Sequence, residues 1–326
     1  MIEFLKKAKR ALVAWRVRVK MRREASRAFR YDRRQFMANA GALHLDRMAA
    51  ARAEIVMGYH VLEKGLTMPH RRLGFGRGAV VHLVHLVDSF ERHFGAGDPQ
   101  VTHAVGVLRA YRELHRDWPE PMPRLDAFLA ARTEVPAARE PHVRRADFFA
   151  AKDAPFPQFA ASRHVCRHFA GPVPRETVES AIALATTAPS ACNRQHARVR
   201  VVEDAETIRA VLAMQGGTRG FGDDVGTLLV VTADLSCVRW GWERHDVWTN
   251  GGLFAMNLCY ALHHNALAHC ILHWSVPPSA DRAARALLAL PESEEIVLLI
   301  ACGEPPEEFD VASSPRLPPD LVAPRP

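Results

Sequence analysis

The sequence predicts an α+β domain, a small sheet flanked by helices, preceded by a helical region. Three observations carry this. Residues 40–115 repeat apolar side chains at helical spacing. Prolines then interrupt the pattern, from Pro119, Pro121 and Pro123 through Pro136 and Pro141 to Pro155 and Pro157. From residue 160 onward, short runs of branched residues alternate with helical segments. The predicted organisation is a basic amphipathic helix over 1–35, a helical region over 36–158 and the α+β domain over 159–326.

Residues 1–35 read as one helix, because Ile2, Leu5, Leu12, Trp15 and Val19 recur at spacings near three and four. Residues 1–34 hold 13 Lys and Arg against 3 acids, a local +10 in a chain of net +7, so the remainder is −3. Basicity is therefore a property of this arm and not of the fold. Such a helix can pack on its own protein or on a dimer mate, or make peripheral contact with an anionic membrane surface. No aromatic–basic platform or nucleic-acid module accompanies it, so nucleic acid is not an expected partner. Leu43, Met48, Ile55, Tyr59, Leu62 and Leu66 predict one buried stripe, closed by Gly65 and then Pro69. Residues 79–95 and 101–116 predict two more helices. Phe148–Phe159 holds the expected boundary. Pro174 then opens a helix whose Val178, Ile182 and Ala185 share a face. Val199–Val202, Leu228–Val231 and Ile296–Ala301 predict strands. Leu253–Leu267 is apolar nearly all round, which predicts a helix buried on every side, in a core or between subunits.

No apolar run approaches the roughly 18 residues of a membrane span. Ala11–Trp15 is too short for a secretory segment, so a cytoplasmic protein is expected, at most peripheral at the inner face of the membrane. The 6 cysteines form no C-x-x-C pair, which argues against structural zinc and dithiol redox chemistry. His60 and Glu63 stand at i, i+3 and could be half of a metal site, but no second half is evident. A structural helix end is the favoured reading there. His264, His269 and His273 are likewise favoured as ordinary histidines, so no metal is expected.

The chemistry lies in four segments. In Ser162–Phe169, SRHVCRHF, Arg163 and Arg167 would share a face of a helix and could grip a phosphate, with His164 between them. In Ala188–Gln195, APSACNRQ, Pro189 stops a helix, and Ser190, Asn193 and Gln195 offer hydrogen-bonding groups. Gln215–Gly222, QGGTRGFG, lets backbone approach a ligand closely, although it lacks the strand–turn–helix setting of a dinucleotide fold. Arg316 is the candidate in Ser314–Leu317, SPRL. An anion grip and a flat hydrogen-bonding ring together suit a flavin.

In this order and spacing, the four segments resemble the nitroreductase family of FMN-dependent oxidoreductases over about residues 160–318. Asn250–Leu258, NGGLFAMNL, and Cys270–Trp274, CILHW, resemble that family's central helix and flavin-side strand. The resemblance implies an intertwined homodimer, joined through the helix near 247–266, with two FMN sites at the interface. It implies that Arg163, His164 and Arg167 serve the phosphate and ring. Pro189, Ser190 and Asn193 would reach the flavin from the partner subunit, with Gln195 beside them. Thr218 and Arg219 would meet the pyrimidine edge. Ile271, Leu272 and His273 would lie near N5 and the dimethylbenzene side, and Arg316 would hold the phosphate. Val165 replaces the family's usual Ser, and Asn265–His269, NALAH, replaces its Gly-rich turn.

The implied activity is ping-pong transfer of hydride from NADH or NADPH through flavin N5. The organic acceptor would be a quinone, a nitro compound or a dedicated biosynthetic intermediate. Arg219 or Arg167 would stabilise charge near N1–O2, and His273 and Arg219 are the candidate catalytic residues. His60–Leu66, HVLEKGL, and Leu73–Gly76, LGFG, resemble an extension on nitroreductase-like proteins associated with surface-polysaccharide gene sets. The alternative reading is a non-catalytic or weakly flavin-binding accessory protein. It would dock on a membrane or an assembly partner through the basic helix.

Overall fold

The computed structural model describes residues 1–323. In chain order the helices begin with α1 (Ile2–Asn39), α2 (Met48–Leu66), α3 (Arg77–Phe94), α4 (Pro99–Leu114) and α5 (Pro123–Ala130). Strand β1 (His142–Arg144) and the short α6 (Arg145–Phe148) and α7 (Phe156–Ser162) follow. Then come α8 (Arg175–Ala185), β2 (Ala197–Val202), α9 (Ala205–Gln215), β3 (Thr227–Asp234) and α10 (Asp246–His264). The last elements are β4 (Ala268–His273), α11 (Pro278–Leu287), β5 (Glu294–Gly303), β6 (Glu308–Asp310) and α12 (Pro319–Val322).

These elements form two units, each discontinuous in sequence. A sheet unit gathers Met1–Ala38, Lys152–Arg163 and Gly171–Glu304. A helical unit gathers Asn39–Ala151, His164–Ala170 and the chain from Pro305. The linear division expected at 158/159 differs from this arrangement. Prolines mark where an element stops; they carry no information about which core a later segment joins.

In the sheet unit the order β2-β3-β5-β4 is antiparallel throughout, with β4 at one edge. β3 is buried along all but its last residue, as its run of branched side chains requires. Val178, Ala181 and Ala185 of α8 and Ala255, Leu258 and Leu262 of α10 cover Leu229, Val231 and Ile300. Each such large side chain contributes about 1.5–3 kcal/mol by leaving water. Within its own chain α10 is buried on one face, whereas Trp248, Leu253 and Met256 are 45%, 46% and 36% exposed, so of the two expected settings the core accounts for one side of the helix only. Residues 1–18 of α1 are exposed all round, whereas Ala28 is buried. Arg244 pairs with Asp32, and a Cβ on Gly241 would lie 2.5 Å from the backbone nitrogen of Ala25. The second half of α1 is therefore packed on its unit.

In the helical unit Ile55, Tyr59, Leu62 and Leu66 are buried as expected, but Leu43 and Met48 are 57% and 43% exposed. Leu43 lies in a separate 3₁₀ turn, out of phase with α2. Gly65 does not close the helix. It sits in the last turn, where a Cβ would overlap the Phe75 ring at 2.0 Å. Thr67 ends α2 instead, its N–H and hydroxyl both returning to the carbonyl of Glu63 at 3.1 and 3.0 Å. α4 starts at Asp98, whose carboxylate accepts from the N–H groups of Gln100 and Val101, with Pro99 in the first turn. β1 and β6 pair antiparallel, a ladder too short for its alternation to be read in sequence. Among the described residues, no helix is long and apolar enough to cross a membrane.

Candidate functional site

The candidate residues divide between the two units. Arg163, Pro189, Ser190, Asn193, Gln195, Thr218, Arg219, Ile271, Leu272 and His273 belong to the sheet unit. His164, Arg167 and Arg316 belong to the helical unit. The segment Arg163–Ala170 has no regular secondary structure, because α7 ends at Ser162 and Arg163 is extended (φ −73°, ψ 109°). The expectation that Arg163 and Arg167 share a helix face is thus corrected. Pro155 and Pro157 start a helix that lasts only to Ser162, whose hydroxyl donates to the Phe159 carbonyl and meets His263 Nε2, both at 2.9 Å.

In the sheet unit, the turn after α8 brings Ser190, Asn193 and Gln195 together. Cys192, Asn193 and Gln195 all adopt left-handed φ, near +50°. Such backbone is costly for residues other than glycine and is held only where neighbours fix it. Ser190 Oγ accepts from the N–H of Gln195 at 2.9 Å. The main anchor is Arg194, which the sequence reading passed over. It donates to the carbonyl of Cys237 at 2.8 Å, to Glu243 at 2.8 Å and to Asp246 at 2.9 Å. Its hydrogen bond holds the Glu243 carboxyl below the usual range. Asn250 completes the frame, its Oδ1 accepting from the N–H of Ala191 at 2.8 Å. Those partners lie about 50 residues downstream, so no local signal could have found them. With Arg194 committed inward, the side chains of Asn193 and Gln195 remain exposed.

α9 ends at Gln215, and the QGGTRGFG loop turns through Gly216 and Gly220 at φ of 76° and 92°. Gln215 ties this loop to the end of β4. Its Oε1 accepts from Gly217 N–H at 2.6 Å, and its Nε2 donates to the His273 carbonyl at 3.1 Å. Thr218 is buried, its carbonyl accepting from Gly222 N–H at 2.8 Å, whereas Arg219 is exposed. Along β4, Ile271 and His273 face out while Cys270 and Leu272 face in. Loop and strand end therefore form one connected surface bearing a cation, a glycine-rich backbone and an edge strand. Those features fit a flat anionic heterocycle.

In the helical unit, Arg167 is buried and its Nη2 lies 3.5 Å from His60 Nε2. Arg316 is exposed and donates to the Ser314 carbonyl at 2.8 Å. Both lead to Glu63, which is wholly buried and accepts from His103 Nε2 at 2.7 Å and Ser314 N–H at 3.2 Å. Burial works to raise the Glu63 carboxyl, but hydrogen bonds from His103 and His60 hold it at about 2. The i, i+3 pairing of His60 and Glu63 is thus a hydrogen-bonded structural pair. Among the described residues, no group of three or more His, Cys, Asp or Glu could hold a metal ion. Burial lifts the Cys259 and Cys302 thiols to about 12 and lowers the His269 imidazole to about 3. Those groups stay neutral and are unsuited to nucleophilic or acid chemistry at neutral pH.

Residues 160–216 match the nitroreductase family, a stretch that holds the arginine segment, the Pro189–Gln195 turn and Gln215. Over these residues the chain is similar to the nitroreductase family. Solved structures similar to it include a nitroreductase family protein of Clostridium difficile 630. It is 19% identical, with 52% of this chain and 96% of that chain covered at a TM-score of 0.44. The Nitroreductase Family Protein of Streptococcus pneumoniae TIGR4 is 20% identical, covering 53% of this chain and 100% of that one at 0.44. An FMN-dependent nitroreductase of Clostridium difficile R20291 is 23% identical, covering 47% and 89% at 0.40. No curated protein is significantly similar to the chain. The nitroreductase match begins three residues before Arg163 and ends one residue past Gln215. Val165, the departure noted in the sequence, lies inside it.

Proposed function

We propose that the protein is an NAD(P)H-dependent FMN oxidoreductase of the nitroreductase type. The observation that supports this most directly is the family match across residues 160–216, which contains two of the segments read as flavin contacts, Ser162–Phe169 and Ala188–Gln195. Bound FMN would supply two-electron chemistry at N5 between NADH or NADPH and a quinone, a nitro compound or a dedicated biosynthetic intermediate. The protein's residues bind and orient. Arg163, His164, Arg167 and Arg316 would serve the phosphate. Thr218 and Arg219 would serve the pyrimidine edge, where the Arg219 cation stabilises added negative charge. Ile271, Leu272 and His273 would line the reactive side. Pro189, Ser190, Asn193 and Gln195 would contribute across a homodimer, for which the exposed Trp248, Leu253 and Met256 of α10 offer an apolar face.

The deciding experiment is the absorption spectrum of the purified protein after addition of FMN. A flavin spectrum bleached anaerobically by NADH or NADPH is the expected result. Failure to retain FMN would overturn the reading.

One observation favours a second role. Residues 1–18 form an exposed helix carrying Lys6, Lys7, Lys9, Arg10, Arg16 and Arg18 beside exposed Phe4, Leu5, Leu12 and Trp15. This suits peripheral contact with an anionic bilayer. Sedimentation with phosphatidylserine vesicles, lost on deleting residues 1–18, is the expected outcome. Equal sedimentation of the deletion variant would exclude it.

A further inference from the structure

We propose that Glu63 is a positioning residue for phosphate binding by Arg167 and Arg316. The inference rests on the FMN reading above.

A carboxylate with no exposed surface is costly unless its oxygens are saturated. Those of Glu63 are, and most of what they hold leads to one of the two arginines. Ser314 gives Glu63 both its N–H, at 3.2 Å, and its hydroxyl, at 3.1 Å. The Ser314 carbonyl takes Arg316 Nη1 at 2.8 Å. Ser314 has φ +40°, a left-handed conformation that a serine keeps only when its surroundings impose it. The two bonds to Glu63 are that imposition, and they set the direction in which Arg316 leaves the turn. On the other side, His60 Nδ1 lies 3.3 Å from Glu63, and His60 Nε2 lies 3.5 Å from Arg167 Nη2. Since the guanidinium can only donate, Nε2 is the acceptor and Nδ1 carries the hydrogen shared with Glu63.

An independent tie holds the same segment, because Gln100 Nε2 on α4 donates to the Pro315 carbonyl at 3.3 Å. One guanidinium bond of Arg316 is spent on its own turn, and the side chain is exposed, with further donors for an anion. The purpose of a buried acid beside two cationic ligands is then clear. It fixes their backbone and side-chain geometry before an anion arrives, lowering the ordering cost of binding.

The test compares FMN with riboflavin, which lacks the phosphate, by fluorescence titration of the flavin-free protein. In Glu63→Gln, FMN affinity is expected to fall about tenfold or more while riboflavin affinity is unchanged. Arg316→Ala should show the same selective loss, and the double variant should lose less than the sum of the two single losses. Ser314→Ala, which removes one bond only, serves if Glu63→Gln does not fold. An unchanged FMN-to-riboflavin ratio, or equal loss of both ligands, overturns the proposal. A wild-type protein that binds neither flavin defeats the FMN reading instead. In that event, tryptic release of the peptide beginning at Leu317 decides the role of Glu63. Faster release from Glu63→Gln supports the positioning role, and equal rates overturn it.

Discussion

The side chain of Gln215 spans from the glycine loop to the end of β4, donating to the His273 carbonyl at 3.1 Å. Its other end accepts from Gly217 at 2.6 Å, so one amide fixes both sides of the proposed ring-binding surface. Gln215→Leu removes both bonds and leaves two backbone groups without that partner. Unfolding in urea should show a loss of about 1–3 kcal/mol. FMN and riboflavin titrations should weaken together, because the ring and not the phosphate loses its support. A change confined to FMN would contradict this assignment.

Gly65 and Gly78 both lie in helices and should respond oppositely to alanine. A Cβ at Gly65 would stand 2.0 Å from the Phe75 ring, inside the main apolar core of the helical unit. Gly65→Ala should cost about 1–3 kcal/mol or more through overpacking. At Gly78, in the first turn of α3, nothing lies within 4 Å. There the same change should stabilise by about 0.4–1 kcal/mol. Thermal and urea unfolding of the two variants checks the pair.

Acid should separate the buried Glu63 from the half-buried Glu140. The Glu63 carboxyl is held at about 2, below its ordinary 4.5, so its stabilisation is complete above about 4.5 and disappears as pH falls through about 2. The Glu140 carboxyl is raised, chiefly by burial, with the charge of Glu63 adding to the effect. Its contribution has the opposite sign, being present below its ordinary 4.5 and lost as pH rises through the raised value. In urea unfolding, Glu63→Gln should trail wild type by about 2–3 kcal/mol near neutral pH, with the gap closing as pH falls toward about 2. Glu140→Gln should be least harmful near neutral pH. Parallel pH profiles for both variants and wild type would count against this division.

Gly241 controls the seating of α1. A Cβ there would meet the Ala25 backbone nitrogen at 2.5 Å and Glu24 Cβ at 2.7 Å. Gly241→Ala should loosen the second half of α1, where Lys20 also covers the Trp240 ring at 4.3 Å. Hydrogen exchange of residues 20–35 should rise in the variant, while that of β3 stays slow.

What could be read in the sequence was whatever has a local period. The helices over 77–94 and 99–114 follow from apolar spacing, and β3 and β5 from runs of branched residues. The residues of the 188–195 turn were visible as polar groups after a helix stop. Arg194 was not, because its role depends on Glu243 and Asp246. The helix expected through Arg163 and Arg167 failed for a related reason. Spacing reports what a helix would do with two side chains, and tertiary contacts decided that there is none. Glu63 and His60 could be seen as a pair, but their partners Ser314 and Arg167 lie 251 and 107 residues away in the chain.

The interleaving of the two units bears on how the protein is made. Helices α2 to α5 emerge from the ribosome early, yet the buried acid on α2 has only His60 and His103 as partners until residues 313–314 are synthesised. Before then, it is a charge facing an unfinished core, and the helical unit can reach only a provisional state. Contacts between residues so distant in sequence are slow to close, so completion of this unit should be a late step in folding. Truncations that end before Ser313 would leave the earliest helices without their final support.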